Sequence, residues 1–163
     1  MDADLVPNDA WLSQGDVFGN VPCPVPAVGH EPFGWQTEMR PALLLTSGCQ
    51  LDKRSLERLH FAPLISLARL APHEQALVMN DKLTPYDTLR IALYGEEHFC
   101  RLSHTSWLPV EHFGASTFVE VDASEPKRRC LPEATRLGSI APARRDLLLL
   151  KLSAFWTGTV PQT

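Results

Sequence analysis

Arg40-Pro41-Ala42-Leu43-Leu44-Leu45 is the stretch that decides the fold of this chain of 163 residues. Its four consecutive apolar side chains, from Ala42 to Leu45, are typical of a strand that is buried on both faces. We therefore predict a strand over 40–47, within an extended segment from Gln36 to Ser47. A strand buried on both faces is expected near the middle of a β-barrel.

Shorter apolar runs that are separated by turn residues predict the remaining strands. Four such runs lie near 15–21, 60–67, 97–103 and 116–123. We expect all five strands to form one antiparallel and strongly curved sheet. If 40–47 and 60–67 pair directly, Arg40 at the start of one strand lies beside Ser66 at the end of the other.

Two helices are expected to accompany the strands. Thr84 suits an N-cap and Pro85 the first helical position, which predicts a helix from 84 to about 94 with Gly95 as its stop. The last helix is predicted over 142–157 and ends before Gly158. It should direct four apolar side chains toward the core: Leu147, Leu148, Leu152 and Phe155. Strands with one inserted and one C-terminal helix indicate an α+β fold that is mainly β, a small antiparallel β-barrel.

Two segments lack the pattern of a regular element. Prolines at 22, 24 and 26 predict that 22–35 is a loop, because proline disfavours a central strand and a helix alike. Residues 1–13 are expected to form a loose N-terminal arm. The length of the chain fits a single domain that spans 1–163.

The composition of the chain limits the cellular compartment and the binding partners that we expect for it. We find no basic start followed by an apolar run, so we expect no secretory signal and no membrane span. The cysteines at 23, 49, 100 and 130 are widely spaced, which predicts free thiols and a cytoplasmic location. The net charge of −4 argues against coating nucleic acid by charge alone. Seven basic and two acidic residues in 127–151 either follow a phosphate backbone or form a solvated face.

Side chains that carry chemistry are few. The six histidines are scattered without metal-ligand spacing, and no phosphate-binding glycine loop is present. Cys49 is either a nucleophile or, as we favour, a small thiol that fills the end of the barrel. Phe33 and Trp35 either stack on bases or form a hydrophobic lid over the barrel mouth. If Trp11, Phe33 and Trp35 are exposed, they form an apolar patch, which favours a homodimer or a protein partner.

Five short sequence motifs follow one another along the chain and together resemble a known pattern. The motifs, in chain order, are Gly15-Asp16-Val17-Phe18, Gly29-His30-Glu31, Arg40-Pro41-Ala42-Leu43-Leu44-Leu45, Phe61-Ala62-Pro63-Leu64-Ile65-Ser66 and the segment from Thr117-Phe118-Val119-Glu120 to Arg136-Leu137. In this order they resemble the MazF/PemK-like toxin superfamily, and in particular an outlying PemK-like group. The resemblance implies an SH3-like barrel and a metal-independent endoribonuclease that cleaves single-stranded RNA by attack of the ribose 2′-hydroxyl.

The resemblance also implies a site. The catalytic arginine of the family falls on Arg40 and its catalytic threonine on Ser66, and no metal or other cofactor is required. A guanidinium suits the charge that develops on the phosphate, and a hydroxyl adds a donor. Substrate-binding roles are expected for Glu31, Trp35, Lys127, Arg128 and Arg129.

Two alternatives stay open. Arg40 can instead form a structural ion pair with Glu38 or Glu31. The chain can also be a non-catalytic PemK-like binding or adaptor module, which keeps the barrel without the chemistry. Such a module would act in a bacterial toxin–antitoxin or phage-defence system, where an antitoxin or another protein is its partner.

Overall fold

A computed structural model describes residues 4–7, 12–26, 34–53, 55–80, 88–110, 118–120, 126–128 and 136–157. The strands are β1 (Leu5–Val6), β2 (Asp16–Pro26), β3 (Trp35–Leu44), β4 (Arg58–Pro63), β5 (Ile65–Ser66), β6 (Thr88–Leu93), β7 (Glu96–Arg101), β8 (Ser106–Pro109), β9 (Phe118–Glu120), β10 (Pro126–Arg128) and β11 (Arg136–Ile140). The helices are α1 (Gly48–Leu51), α2 (Pro72–Met79), α3 (Pro142–Thr157) and a 3-10 turn at Leu67–Arg69.

The strands form three antiparallel sheets rather than the single sheet that we predicted. Six strands pair in the order β1-β11-β2-β3-β4-β8, three in the order β5-β7-β6, and β9 pairs with β10. The architecture is therefore α+β and mainly β, as predicted. No sheet closes on itself within the described part of the chain, so the SH3-like barrel stays a prediction.

The central strand β3 confirms the prediction drawn from its sequence. Leu43 and Leu45 belong to one buried cluster, whereas Ala42 and Leu44 belong to a second cluster on the opposite face of the sheet. All four side chains are buried because both faces of the six-stranded sheet are covered. This double burial explains why the sequence shows a continuous apolar run here instead of alternation.

Helix α3 closes the first of these clusters and begins and ends where the sequence predicts. Leu148 and Leu152 are buried against the strands, and Leu147 packs at the margin of the cluster. Phe155, which we also expected in the core, is exposed instead. The last buried side chain of the helix is Leu152.

The predicted helix over 84–94 is wrong in the part that the structure describes. Residues 88–93 form strand β6, which pairs with β7 in a hairpin, and residues 84–87 lie outside the described residues. Tyr94 and Gly95 both have positive φ, 54° and 75°, as two-residue hairpin turns of the primed type require. Gly95 therefore turns a hairpin instead of ending a helix. The inserted helix is α2, over Pro72–Met79.

The proline-rich segment 22–35 is not wholly a loop, because β2 and β3 pair from Val17↔Leu43 to Pro26↔Trp35. Alternate residues of a strand direct their N–H groups to the same side. Prolines at alternate positions can thus all face the edge away from β3. In the described chain β11 pairs with β2 only over 16–18, so the prolines fall on an edge, where they are tolerated.

The N-terminal segment is not a loose arm where it is described. Leu5 is buried and pairs with Ile140 of β11. The carboxylate of Asp4 accepts hydrogen bonds from Arg144 of α3 (3.3 Å) and from the amide of Ala92 (2.9 Å). Burial of one leucine and these polar contacts offset the ordering cost of the segment.

The predicted strand 60–67 is divided at Leu64, and this division positions the site. β4 pairs with β3, and the amide of Leu64 still donates to the carbonyl of Pro41 at 2.8 Å. The chain then leaves the six-stranded sheet, and β5 pairs with β7 of the other sheet, with Ser66 opposite His98.

Candidate active site

A cleft opens where the chain passes from β4 to β5. Its volume is about 190 Å³, and its lining includes both residues that the resemblance singled out, Arg40 and Ser66. Four further lining residues matter for its chemistry: Glu38, Ile65, Arg69 and His98. The predicted proximity of Arg40 and Ser66 is therefore found, and β3 and β4 pair directly as expected, although Ser66 itself pairs with β7 and not with β3.

Arg40 lies just beyond the end of the β3–β4 pairing, which stops at Ala42↔Pro63. Its side chain is 17% exposed, and its Nη2 donates to the Oε2 of Glu38 at 2.8 Å. The Nη2 of Arg69 lies 3.9 Å from the other carboxylate oxygen of Glu38. The hydrogen bond from Arg40 lowers the pKa of Glu38, so this carboxylate is ionised at neutral pH. The ion pair with Glu38 that we considered is thus present, whereas Glu31 lies outside the described residues.

Ser66 forms two hydrogen bonds at the start of the 3-10 turn. Its hydroxyl donates to the carboxylate of Glu96 on β7. The same oxygen accepts from the amide of Ala68 at 3.4 Å and so caps the turn. The hydroxyl is held in place by these contacts and still lines the cleft.

His98 is a functional candidate that reasoning from the sequence missed. Its Nδ1 lies 3.0 Å from the carbonyl oxygen of Glu96. A carbonyl oxygen only accepts, so Nδ1 carries the hydrogen and Nε2 of the neutral ring presents a lone pair. The signal that could have identified His98 is the Tyr94-Gly95 turn, since the hairpin register together with β5 pairing puts His98 opposite Ser66.

The other predicted substrate-binding residues are not brought to this cleft by the described contacts. Trp35 lies at the far end of β3, opposite Pro26, and is 68% exposed, which does not fit a hydrophobic lid packed over the mouth of a barrel. Lys127 and Arg128 lie in β10, within the separate two-stranded sheet. Residues outside the described part are Trp11, Glu31, Phe33 and Arg129.

The basic stretch 127–151 does not form one phosphate-binding face. Arg136 is buried in an ion pair with Asp16, and buried Lys151 donates to the carbonyl of Thr88. Arg144 is bound to Asp4. Three of its basic side chains therefore stabilise the interior or its margin and are not available to a polyanion.

The position of Cys49 differs from our prediction that this thiol fills the end of the barrel. It lies on the short helix α1 and is exposed, so it does not fill the end of a barrel. Cys23 and Cys100 are buried thiols, and Cys130 lies outside the described residues. Burial raises the pKa of Cys23 to about 11.

Two further features bear on the site and its environment. In the described ranges no group of three or more His, Cys, Asp or Glu side chains is arranged to hold a metal ion. The helices of the described chain are all too short or too polar to cross a membrane.

Comparison with known proteins finds no family model that matches the chain and no curated protein that is similar to it.

Proposed function

We propose that this chain is a metal-independent endoribonuclease of the MazF/PemK type, built on an SH3-like barrel, and that the cleft between β3 and β5 is its active site. The observation that carries the proposal is that Arg40 and Ser66, which the motifs single out separately, line one open cleft. A guanidinium, a hydroxyl and an imidazole at one site are sufficient for phosphodiester transesterification without a metal ion.

The proposed reaction is attack of a ribose 2′-oxygen on the adjacent phosphorus. The bond from phosphorus to the 5′-oxygen of the next nucleotide breaks, leaving a 2′,3′-cyclic phosphate and a 5′-hydroxyl. Nε2 of His98, the ring nitrogen not bound to the Glu96 carbonyl, takes the proton of the 2′-hydroxyl. The departing 5′-oxygen takes a proton from solvent water, and His98 then releases its proton to solvent. Arg40 and the Ser66 hydroxyl donate to the phosphate oxygens, where negative charge develops.

Two carboxylates compete with the substrate for these donors. Glu38 binds the guanidinium of Arg40, and Glu96 accepts from the hydroxyl of Ser66. A bound phosphate has to replace both contacts, and Arg69 can retain Glu38 when Arg40 turns to the substrate. This competition makes RNA binding weaker than the donors alone would allow.

The same competition is the specific observation that favours the second candidate, a non-catalytic binding or adaptor module. If Glu38 holds Arg40 permanently, the ion pair is structural and the cleft does not take a phosphate. The variant Glu38→Gln separates the candidates. An enzyme that must displace Glu38 should bind RNA more tightly after this change, whereas a structural pair that is partly exposed should lose at most about 1 kcal/mol of stability and gain no RNA affinity.

The deciding experiment incubates the purified protein with single-stranded RNA in EDTA and resolves the products on a denaturing gel. We expect cleavage that yields cyclic phosphate ends. An RNA with one 2′-deoxynucleotide at the cleaved position should stay intact at that position. His98→Gln should reduce cleavage about 10²- to 10⁴-fold, as loss of a general base typically does. Intact RNA after incubation with the wild-type protein would leave the adaptor module as the function.

A further inference from the structure

A second concave surface lies at the opposite end of β4. There the indole ring of Trp107, on the adjacent strand β8, stacks on the imidazole of His60. The ring centroids are 4.3 Å apart and the planes differ by 11°. His60 and Trp107 are register partners across the β4–β8 pair, so the backbone itself sets this stack.

The stack is rigid and uncharged. Nε2 of His60 is hydrogen-bonded to the Thr105 hydroxyl at 2.7 Å, and its backbone amide donates to the Thr46 hydroxyl at 2.8 Å. Burial lowers the pKa of His60, so the ring is neutral at physiological pH. The ring of His60 covers one face of the Trp107 ring, and Trp107 is still 56% exposed. It therefore presents a fixed aromatic surface to solvent.

A cavity of about 530 Å³ adjoins this surface and is lined by Gln50, Ser55, Leu56, Glu57, Arg58 and Trp107. Its volume lies within the range of roughly 300–1,000 Å³ that small-molecule sites occupy. The half-buried Leu56 adds an apolar wall, while an amide and a carboxylate stand at the rim. A planar ring with polar edges fits this set, because its face stacks on the indole and its edge meets donors and acceptors.

We propose that this cavity binds a base of single-stranded RNA by stacking on Trp107, with Arg58 contacting the adjacent phosphate. The inference rests on the proposed function, since it assigns a second subsite to the same substrate. β4 runs from Arg58 at this cavity to Pro63 beside the cleft, five steps of about 3.3 Å or roughly 17 Å. β4 itself is buried between β3 and β8, so an extended RNA strand spans this distance over the elements that cover it. Glu57 and Gln50 then contact the edge of the base, which makes this cavity a determinant of base preference.

The test measures binding by fluorescence anisotropy, with a labelled 2′-O-methyl RNA that cannot be cleaved. Trp107→Leu should weaken binding roughly 5- to 150-fold, the range expected for loss of one base–aromatic stack. Trp107→Phe should recover part of that loss, because phenylalanine keeps a stacking face. The matched control is Trp156→Leu, which removes a tryptophan that is 62% exposed on α3 and should not change binding. Thermal unfolding of each variant verifies that it is folded.

A competition experiment completes the test. An abasic ribose-phosphate oligomer of the same length should compete poorly, and equal competition would overturn base stacking here. Unchanged affinity of folded Trp107→Leu would do the same. The outcome is separable from the proposed function: RNA cleavage with binding independent of Trp107 overturns this subsite alone, whereas binding through Trp107 without cleavage overturns catalysis alone.

Discussion

Asp16 of β2 and Arg136 of β11 form an ion pair whose two side chains are 0% and 1% exposed, with the Nη1 and Oδ2 atoms 3.1 Å apart. Asp16 also accepts from the Ser139 hydroxyl at 2.5 Å and from the amide of Ser13 at 2.9 Å. Desolvation raises the pKa of Asp16, and these hydrogen bonds and the guanidinium oppose that effect. The pair joins the first and last long strands of the six-stranded sheet.

Breaking this pair should strongly destabilise the fold. Asp16→Ala leaves the Arg136 guanidinium buried without its carboxylate, and the expected loss in the free energy of unfolding is about 3–5 kcal/mol. The double variant Asp16→Val with Arg136→Met should recover most of that loss, because it leaves no uncompensated charge. Urea unfolding measures all three proteins.

The matched control is the pair of Arg90 and Glu97, which is partly exposed. Glu97→Gln should cost at most about 1 kcal/mol, as solvent-exposed pairs usually do. Equal losses for Asp16→Ala and Glu97→Gln would contradict the role of the buried pair, as would a double variant no more stable than Asp16→Ala.

Substitutions in the cleft should separate geometry from charge in RNA cleavage. Arg40→Lys keeps the positive charge but loses the planar fork, so it should reduce cleavage nearly as much as Arg40→Ala. Ser66→Ala should cost less, about tenfold to a thousandfold, because it removes one donor. Initial rates on a labelled RNA, with and without EDTA, give these ratios, and the chelator should have no effect.

The control for these variants is Arg145→Ala, which removes an exposed arginine from α3. It should leave the cleavage rate unchanged, so a general loss of positive charge is distinguished from loss of the cleft. If Arg40→Ala cleaved RNA at the wild-type rate, the catalytic assignment would be wrong.

The stability of the fold should depend on pH through His60. Burial lowers the pKa of His60 below the unfolded value of about 6.5, so the unfolded chain takes up this proton first. The contribution of His60 is complete above pH 6.5 and is lost as the pH falls through the folded pKa. His60→Phe keeps an aromatic ring and should show a smaller loss of stability between pH 8 and pH 5.5. Urea unfolding at both pH values tests this, and exposed His73→Gln should behave like the wild type.

The thiols should differ sharply in reactivity. Cys49 is exposed and should react with an alkylating reagent in the folded protein, whereas buried Cys23 and Cys100 should react only after unfolding. A pKa of about 11 leaves Cys23 almost entirely protonated at pH 8. Mass spectrometry of peptides after pulsed labelling reports each cysteine separately. Labelling of Cys23 as fast as Cys49 would contradict the burial of Cys23. A separate titration of the denatured, unreduced protein tests the free-thiol prediction, and fewer than four reactive thiols would contradict it.

Local sequence was sufficient for the elements whose burial is continuous or periodic. The run from Ala42 to Leu45 predicted a strand buried on both faces, and α3 begins at Pro142 and ends before Gly158 as its pattern indicates. The proximity of Arg40 and Ser66 followed from direct pairing of two neighbouring strands. These features depend on contacts close in the chain or on the period of the apolar residues, which the sequence displays directly.

Tertiary structure alone decided where each polar group lies. An arginine looks the same in a sequence whether it is solvated, as Arg145 is, or buried like Arg136, because its partner Asp16 is 120 positions away. The change of sheet at Leu64, which puts Ser66 opposite His98, likewise depends on which edge the chain meets. The pattern of apolar residues indicates which face of an element is buried, whereas the choice of partner for a polar group depends on the packing of whole sheets.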